Sequence, residues 1–564
     1  MKAYVTENAA ERESYVGDIF NVGSIKRKEM ILNSLPNEWS RLHKEGYIHI
    51  HDLDAYGETY NCLALNIFNK FPYEKFKGLS DSRKISKLFN YIIEILTRLG
   101  NEQSGGMSFA NFDIEIATIL HKMNIQFSEK NKEYIKDALY NFIIWCNDCH
   151  TRMGQVSYYV SLNVGLGTSS EERFITYTLI DEFENSPSDV FKPNIIFKVK
   201  DKINYEKSSP NYDLLVKSLI CTSKKMIPTY LICNSKTNEN FDPLKLAIMG
   251  CRTRVVKDIF GEDTSIGRGN IDNISINLPR LAFESMNDNN PLDSFYERWD
   301  KVANTVKDIL IDRYNRLLKK EVMDFKLNYE SNLWCVDFDK AKSLEEIFKH
   351  GTLSIGFIGL SEAFEILTNK RFYLDDNTYK EAYKFVEHMR NYCDSLIAQY
   401  NLNFSLLATS GELISDRFLK LDKKIYTHKV LNKGFYTNSF HINVDSNLSA
   451  FKKIEMEGPF HTLSNGGCIS YVELKEAPIS NYEALYELIE TAVESGTSYL
   501  GFNFPLDVCN DCNCKGVFND TCPNCSSKNI LRIRRVSGYL EILDYFTSGK
   551  KAEEHARKEN LSSK

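Results

Sequence analysis

The stretch RRVSGYLEIL, residues 534–543, begins nine residues after Cys525, the last of four cysteines spaced Cys509-x-x-Cys512 and Cys522-x-x-Cys525. Two C-x-x-C hooks separated by a tight loop suit a tetrahedral thiophilic ion, and zinc is the expected occupant. Four thiolates leave no open position for water, so the expected role is structural. Gly516, Pro523 and Asn524 supply turns, and Cys514 is expected to be a spectator. A short arginine-, glycine- and tyrosine-bearing segment hung on such a knot needs a reason, and the rest of the chain supplies one.

The chain has 564 residues, 70 Lys plus Arg against 76 Asp plus Glu, and 43% hydrophobic residues. That is the composition of a folded, water-soluble protein. No long basic field points to nucleic acid, and Lys528, Arg532, Arg534 and Arg535 read as a solvated face. The N-terminus lacks an apolar leader and no apolar run is long enough to span a bilayer, so a cytosolic protein without a membrane role is expected. Fourteen cysteines in such a protein are not a disulfide framework. Cys146-Asn-Asp-Cys149-His150 matches a haem-attachment pattern, but it follows a helical apolar run and reads as partly buried helix cysteines.

Ile85, Leu88, Ile92, Ile95, Leu96 and Leu99 share one face of a predicted helix that stops at Gly100, with the glycine as C-cap; a second helix is expected over 130–148. Short apolar runs at 159–167, 194–200, 274–279, 351–360 and 468–474 read as strands, separated by helical stretches such as 296–320 and 378–400. Alternating strands and helices over several hundred residues predict an α/β architecture. The expected division is one large domain over 1–500, a four-cysteine knot over 501–527 and a tail over 528–564.

Glycine has no Cβ, so its backbone can pass where a side chain would clash. Loss of a hydrogen atom from its α-carbon leaves an electron shared with both flanking amides in a planar geometry. Gly538 on a rigid knot is therefore a place to store a radical, or simply a turn glycine. The decision comes from other motifs in register. R535-V-S-G538-Y-L540 after the knot and F546-T-S-G-K550 resemble the end of class III, anaerobic, glycyl-radical ribonucleoside-triphosphate reductases. YIHIHDLDAY at 47–56 with Asn61-Cys62, GQVSYYVSLNVG at 154–165 and IMGCRTRV at 248–255 resemble that family's blocks in order. So do GRGNIDNISINLPR at 267–280, GTLSIGFIGL at 351–360, YTNSFHI at 436–442 and HTLSNGGCISYVEL at 461–474.

The resemblance implies the reductase fold, a ten-stranded α/β barrel of two parallel half-sheets with an inner finger loop. It implies that Gly538 holds the resting radical, Cys251 becomes a transient thiyl that takes the 3′ hydrogen of the ribose, and Cys62 donates hydrogen from the opposite face. Asn270 would bond to substrate or reductant, and Met249, Asn61, Ser161, Asn163, Asn465 and Gly466 would contact the substrate. Met249 and Asn270 near the thiyl cysteine imply formate as reductant. A radical S-adenosylmethionine activase carrying an iron–sulfur centre is implied as partner, since no cofactor site for making the radical is found in the chain. Ribonucleoside triphosphates are the implied substrates, deoxynucleotide or ATP effectors the implied ligands of a dimer interface within 80–150, and a homodimer the implied assembly.

Other readings weighed are a formate-acetyltransferase or dehydratase type of glycyl-radical enzyme, and a non-catalytic zinc-ribbon protein. The first is disfavoured by the absence of adjacent catalytic cysteines, the second by the acidic balance. Three departures stand out. No ATP-cone precedes AYVTENAA, so inhibition through that module is expected to be absent. Glu541 stands where relatives often repeat glycine, and Cys468 where they often have histidine.

Overall fold

A computed structural model describes residues 4–5, 10–11, 14–148 and 159–560. The central feature is a sheet whose path joins ten strands. β1 (Cys62–Ala64), β2 (Met107–Phe109), β3 (Val160–Val164), β4 (Asn194–Val199) and β5 (Thr229–Ile232) are parallel neighbours in chain order. β6 (Arg268–Asn277), β7 (Thr352–Ile358) and β8 (Asn403–Ala408) form a second parallel run. β9 (Ser470–Glu473) and β10 (Tyr499–Asn503) are also parallel.

The halves meet antiparallel where β6 pairs β1, with Asn270 opposite Cys62, and where β10 pairs β5. The remaining edges are drawn together by Leu407 of β8, which bridges in parallel to Gly467 just before β9, and by a 3.0 Å bond from Ala408 N–H to the Gly467 carbonyl. This is the barrel of two opposed half-sheets that the sequence led us to expect.

Strands covered on both faces need apolar side chains at successive positions. The segments NIIFKV of β4 and TLSIGFI of β7 are buried throughout. The helical periodicities hold as well. In α1 (Asp81–Leu99) the buried face carries Ile85, Leu88, Ile92, Ile95, Leu96 and Leu99. α2 (Glu129–Asp148), α3 (Pro291–Leu317) and α4 (Asp376–Tyr400) match the other helical stretches. Gly100 does end α1, but with φ −58 it is right-handed, its N–H turning back to Leu96 and Arg98 carbonyls. The chain leaves α1 through a tight turn at 101–103 and does not need the left-handed reversal for which glycine was expected. The run 274–279 is also shorter as a strand: β6 stops at Asn277, whose side chain accepts from Arg280 N–H, and Pro279 sits in the first turn of a helix over Leu278–Ser285.

Two residues after β10, the chain enters a separate antiparallel sheet of β11 (Leu506–Cys509), β12 (Lys515–Gly516), β13 (Ile530–Arg535) and β14 (Leu540–Ile542), in the order β12-β11-β13-β14. β13 and β14 are a hairpin closed by residues 536–539, with Arg535 opposite Leu540. Cys221, Cys233 and Cys393 are buried core residues, whereas Cys335 is exposed. Cys146 is buried in α2, while Cys149 and His150 lie outside the described residues. No described helix is long and apolar enough to cross a membrane.

Candidate active site

Inside the barrel, Ile248–Met249 and Thr253–Arg254 pair antiparallel and carry Gly250-Cys251-Arg252 at their turn. This finger is fastened on two sides. Ser108 Oγ and Asn163 Nδ2 donate to the Ile248 carbonyl at 2.8 and 3.2 Å, and Asn163 Oδ1 accepts from Ile248 N–H at 3.1 Å. Ser161 Oγ donates to the Gly250 carbonyl at 3.2 Å. Across the barrel, Arg254 N–H donates to the Gly466 carbonyl at 3.0 Å, and Asn465 Oδ1 accepts from Leu406 N–H at 2.9 Å. The tip passes the wall at a glycine–glycine crossing: Gly250 has φ +57, and a Cβ on Gly106 would lie 2.6 Å from Gly250 Cα.

Cys62 of β1 and Cys251 of the finger line one cleft with Asn61, and the empty space of that cleft is about 760 Å³ counted out to its open mouth. The Cys62 thiol donates to Asn61 Oδ1 at 2.8 Å and its sulfur accepts from Gly106 N–H at 3.3 Å. Asn61 Nδ2 donates to Asp52 at 2.8 Å. Burial pushes the Cys62 thiol up to about 12. Burial also raises Cys251, although the guanidinium of Arg252, whose Nη1 is 2.5 Å from the sulfur, opposes the shift. Both sulfurs therefore keep their hydrogens at neutral pH, which is the form that can give or lose a hydrogen atom.

The hairpin tip reaches this cleft from the tail. A Cβ built on Gly538 would fall 1.7 Å from the Cys251 carbonyl oxygen and 2.4 Å from Cys251 Cα. Only glycine fits there. Tyr539 packs on Tyr159 with ring centroids 5.1 Å apart, and both line the cleft. Arg534 and Arg535 are buried, not on the solvated face expected for them: Arg535, 1% exposed, braces the inner arm through Nε to the Phe502 carbonyl at 2.9 Å and Nη2 to the Met226 carbonyl at 2.5 Å.

Of the residues singled out in the sequence, Asn61, Cys62, Cys251 and the Gly538 tip come together at the cleft. Met249 packs in a small apolar cluster with Cys62, Ala64 and Val255. Ser161, Asn163 and Gly466 make bonds that fasten the finger, and Asn465 ties the turn before Gly466 to Leu406 of β8. Asn270 lies beside Cys62 in register, but its amide donates to the Thr352 carbonyl at 3.0 Å and to Ser354 Oγ at 2.9 Å. Cys468 is buried with Sγ 3.5 Å from Ser498 Oγ, away from the cleft lining.

Sequence reading missed His51, Asp52, Ser104, Asn273 and Glu412, all of which line the cleft. The first two stand inside the quoted YIHIHDLDAY block, and their chemistry was the available signal; nothing local marks Glu412. Glu412 is buried, and burial raises its carboxyl while Arg252 pulls it down.

At the base of the hairpin, one sulfur from each of Cys509, Cys512, Cys522 and Cys525 falls within 4.8 Å of the others, and Cys514 is outside the set. Two of the separations are 3.5 Å (Cys509–Cys525) and 3.6 Å (Cys512–Cys522). Sulfurs about 2.3 Å from a tetrahedral ion stand about 3.8 Å apart. The four thiols fit a metal of that size, and Cys509 is the last residue of β11, so the ion would tie the knot directly to the sheet that bears the hairpin.

A family model described as anaerobic ribonucleoside-triphosphate reductase matches residues 7–559. The chain is 29% identical over 576 residues to an Escherichia coli (strain K12) protein of that name, covering 93% of this chain and 79% of the relative. It is 26% identical over 565 residues to the enterobacteria phage T4 protein of the same name, covering 92% and 90%. The solved anaerobic ribonucleotide reductase of Thermotoga maritima, in complex with dATP and CTP, superposes with a TM-score of 0.73 at 15% identity over 96% of this chain and 92% of that one. With the family match spanning finger, cleft, knot and hairpin, this chain belongs to the anaerobic ribonucleoside-triphosphate reductase family.

Proposed function

We propose that the chain reduces ribonucleoside triphosphates to 2′-deoxyribonucleoside triphosphates through a radical stored on Gly538 and passed to Cys251. The observation that carries this reading is the seating of the Gly538 tip on the Cys251 backbone at a cleft that also holds the Cys62 thiol. A protonated Cys251 gives its hydrogen atom to the Gly538 radical. The resulting thiyl takes the 3′ hydrogen of a ribose in the cleft, and the radical passes to the sugar. The 2′-hydroxyl then takes a proton and leaves as water, and C2′ takes the hydrogen atom of the Cys62 thiol. Formate returns a hydrogen atom to Cys62 and an electron to the sugar as it becomes carbon dioxide, which restores the C3′ radical. Return of the 3′ hydrogen from Cys251 regenerates the thiyl, and Gly538 regains the radical. The raised thiol values favour this role, since a thiolate has no hydrogen to exchange.

Formate supplies the two electrons: the 2′-alcohol, formate and one proton give the 2′-deoxy product, carbon dioxide and water. Among the described residues the cleft is lined by Cys62 and Cys251 and by no third cysteine, which supports formate over a dithiol. Zinc in the four-cysteine site holds the base of the hairpin and so the depth of its tip. An iron–sulfur activase of the radical S-adenosylmethionine class installs the radical. Deoxynucleotide or ATP effectors bind at a homodimer interface built from the helices within 80–150.

The test is anaerobic turnover of CTP with radiolabelled formate after activation. One labelled carbon dioxide per dCTP supports the reading. Turnover with thiols alone removes formate from it, and absence of turnover at a measured glycyl spin removes the activity.

A further inference from the structure

Residues 536–540 are buried, so no second protein can close around the Gly538 α-carbon while the tip is seated. Whatever removes its hydrogen has to meet a withdrawn hairpin, and the forces that seat the tip set how often that happens. The inner arm is braced by Arg535. The outer arm, β14, carries Glu541, whose Oε2 lies 3.5 Å from Lys192 Nζ on the barrel wall just before β4; the two side chains are 6% and 12% exposed.

Neither group has another ion-pair partner among the described residues. Arg534 stands opposite Glu541 in the hairpin register, but it is committed to Asp507 at 2.8 Å and Glu554 at 2.9 Å. The other Glu541 oxygen accepts from its neighbour, Ile542 N–H, at 2.9 Å. Beside Lys192 is a small pocket with room for about 20 Å³, lined by Tyr159, Phe191, Lys192, Asn194, Gly250 and Tyr539. The Lys192–Glu541 pair joins hairpin to wall next to this pocket.

We propose that Lys192 and Glu541 are positioning residues whose ion pair seats the Gly538 tip against Cys251 and governs its withdrawal. The proposal rests on the reading of Gly538 as the radical site. Removing one member of a buried pair costs more than never having the pair, because the survivor is left charged and out of water. Withdrawal of the tip rehydrates that survivor. Neutralising either residue alone therefore favours the withdrawn hairpin most, and neutralising both removes the tie without leaving a lone buried charge, so the tip opens less than in either single variant but more than in wild type.

The test is amide hydrogen exchange on the metal-loaded, unactivated full chain, comparing wild type with Glu541→Gln, Lys192→Met, the double variant and the milder Glu541→Asp. Amides at 537–540 should exchange at least about tenfold faster in each single neutral variant, a shift of about 1.4 kcal/mol in the opening equilibrium. Glu541→Asp and the double variant should both fall between wild type and the single neutral variants, and exchange in β1–β10 should not change. In the same variants the glycine radical should form faster with an activase while turnover per spin falls. Unchanged tip exchange in the single variants, or a double variant as fast as they are, overturns the proposal. Tip exchange that follows the expected pattern while no variant, wild type included, gives a glycine radical would leave the ion-pair tie standing and refute the radical assignment instead.

Discussion

Gly106→Ala is a one-carbon probe of how closely the finger has to be placed. The added Cβ would stand 2.6 Å from Gly250 Cα and 2.8 Å from Gly250 N, against an ordinary contact of 3.4–4 Å. Backbone faces it, so no side chain can swing away. Relief requires the finger to retreat by about 1 Å in an interior that is otherwise close-packed. Overpacking of this kind costs about 1–3 kcal/mol, and a misplacement of about 1 Å of a reacting group costs about 100-fold in rate. Stability should fall by that modest amount, glycyl spin should still form, and turnover per spin should drop about 100-fold. Gly23→Ala is the control: it lies inside a helix over Tyr15–Ser34 with nothing within 4 Å of its Cβ, and should stabilise by about 0.5–1 kcal/mol. Full turnover per spin in Gly106→Ala would refute the claim that the finger's position against β2 sets the rate.

Asn163→Ala removes the side chain that bonds Ile248 at both its carbonyl and its N–H; leaving that N–H buried and unpaired should cost about 3 kcal/mol, read by urea unfolding, with turnover per spin reduced in parallel. Chelating the metal from the four-cysteine site should abolish the glycine signal while unfolding of the barrel, followed by circular dichroism, stays within about 1 kcal/mol of the loaded protein. The raised Cys62 thiol predicts no alkaline loss of turnover from Cys62 between pH 7 and 9, since its ionisation is displaced to about 12. The linkage has the opposite face: the unfolded thiol ionises near 8.5, so the stability contributed by the neutral buried form is complete below that pH and is lost progressively as pH rises toward 12. Denaturant midpoints at pH 8 and pH 10 for wild type and Cys62→Ala should show a shallower alkaline fall in the variant.

How much of this was legible depended on length and locality. β4 and β7 are long apolar runs, and α1 repeats its apolar face over five turns; periodicity finds such elements. β1 and β2 have three residues each, too few for a period, and neither was read as a strand; only the resemblance of Asn61-Cys62 to a family block drew attention to β1. The four-cysteine site was readable from spacing because its ligands are close in sequence. The pairing of Gly538 with Cys251 joins residues 287 positions apart, and only the family resemblance suggested it. Asn163 and Ser161 illustrate the limit from the other side. Their residue types fit substrate contact, but the backbone groups they bond, at Ile248 and Gly250, come from a finger whose path no local signal foretells. Glu412 and Asn273 were missed because a cleft is assembled from several strand ends, and neither residue carries a local mark of that position.

The most direct test of the radical assignment is electron paramagnetic resonance on the metal-loaded protein, incubated without oxygen with a matched activase, S-adenosylmethionine and an electron donor. Wild type, wild type grown on α-deuterated glycine, and Gly538→Ala would be compared. A doublet that narrows on deuteration and is lost in Gly538→Ala is the expected result. A doublet that survives in Gly538→Ala, or no signal with an activase proven on its own partner, would contradict Gly538 as the place where the radical is stored.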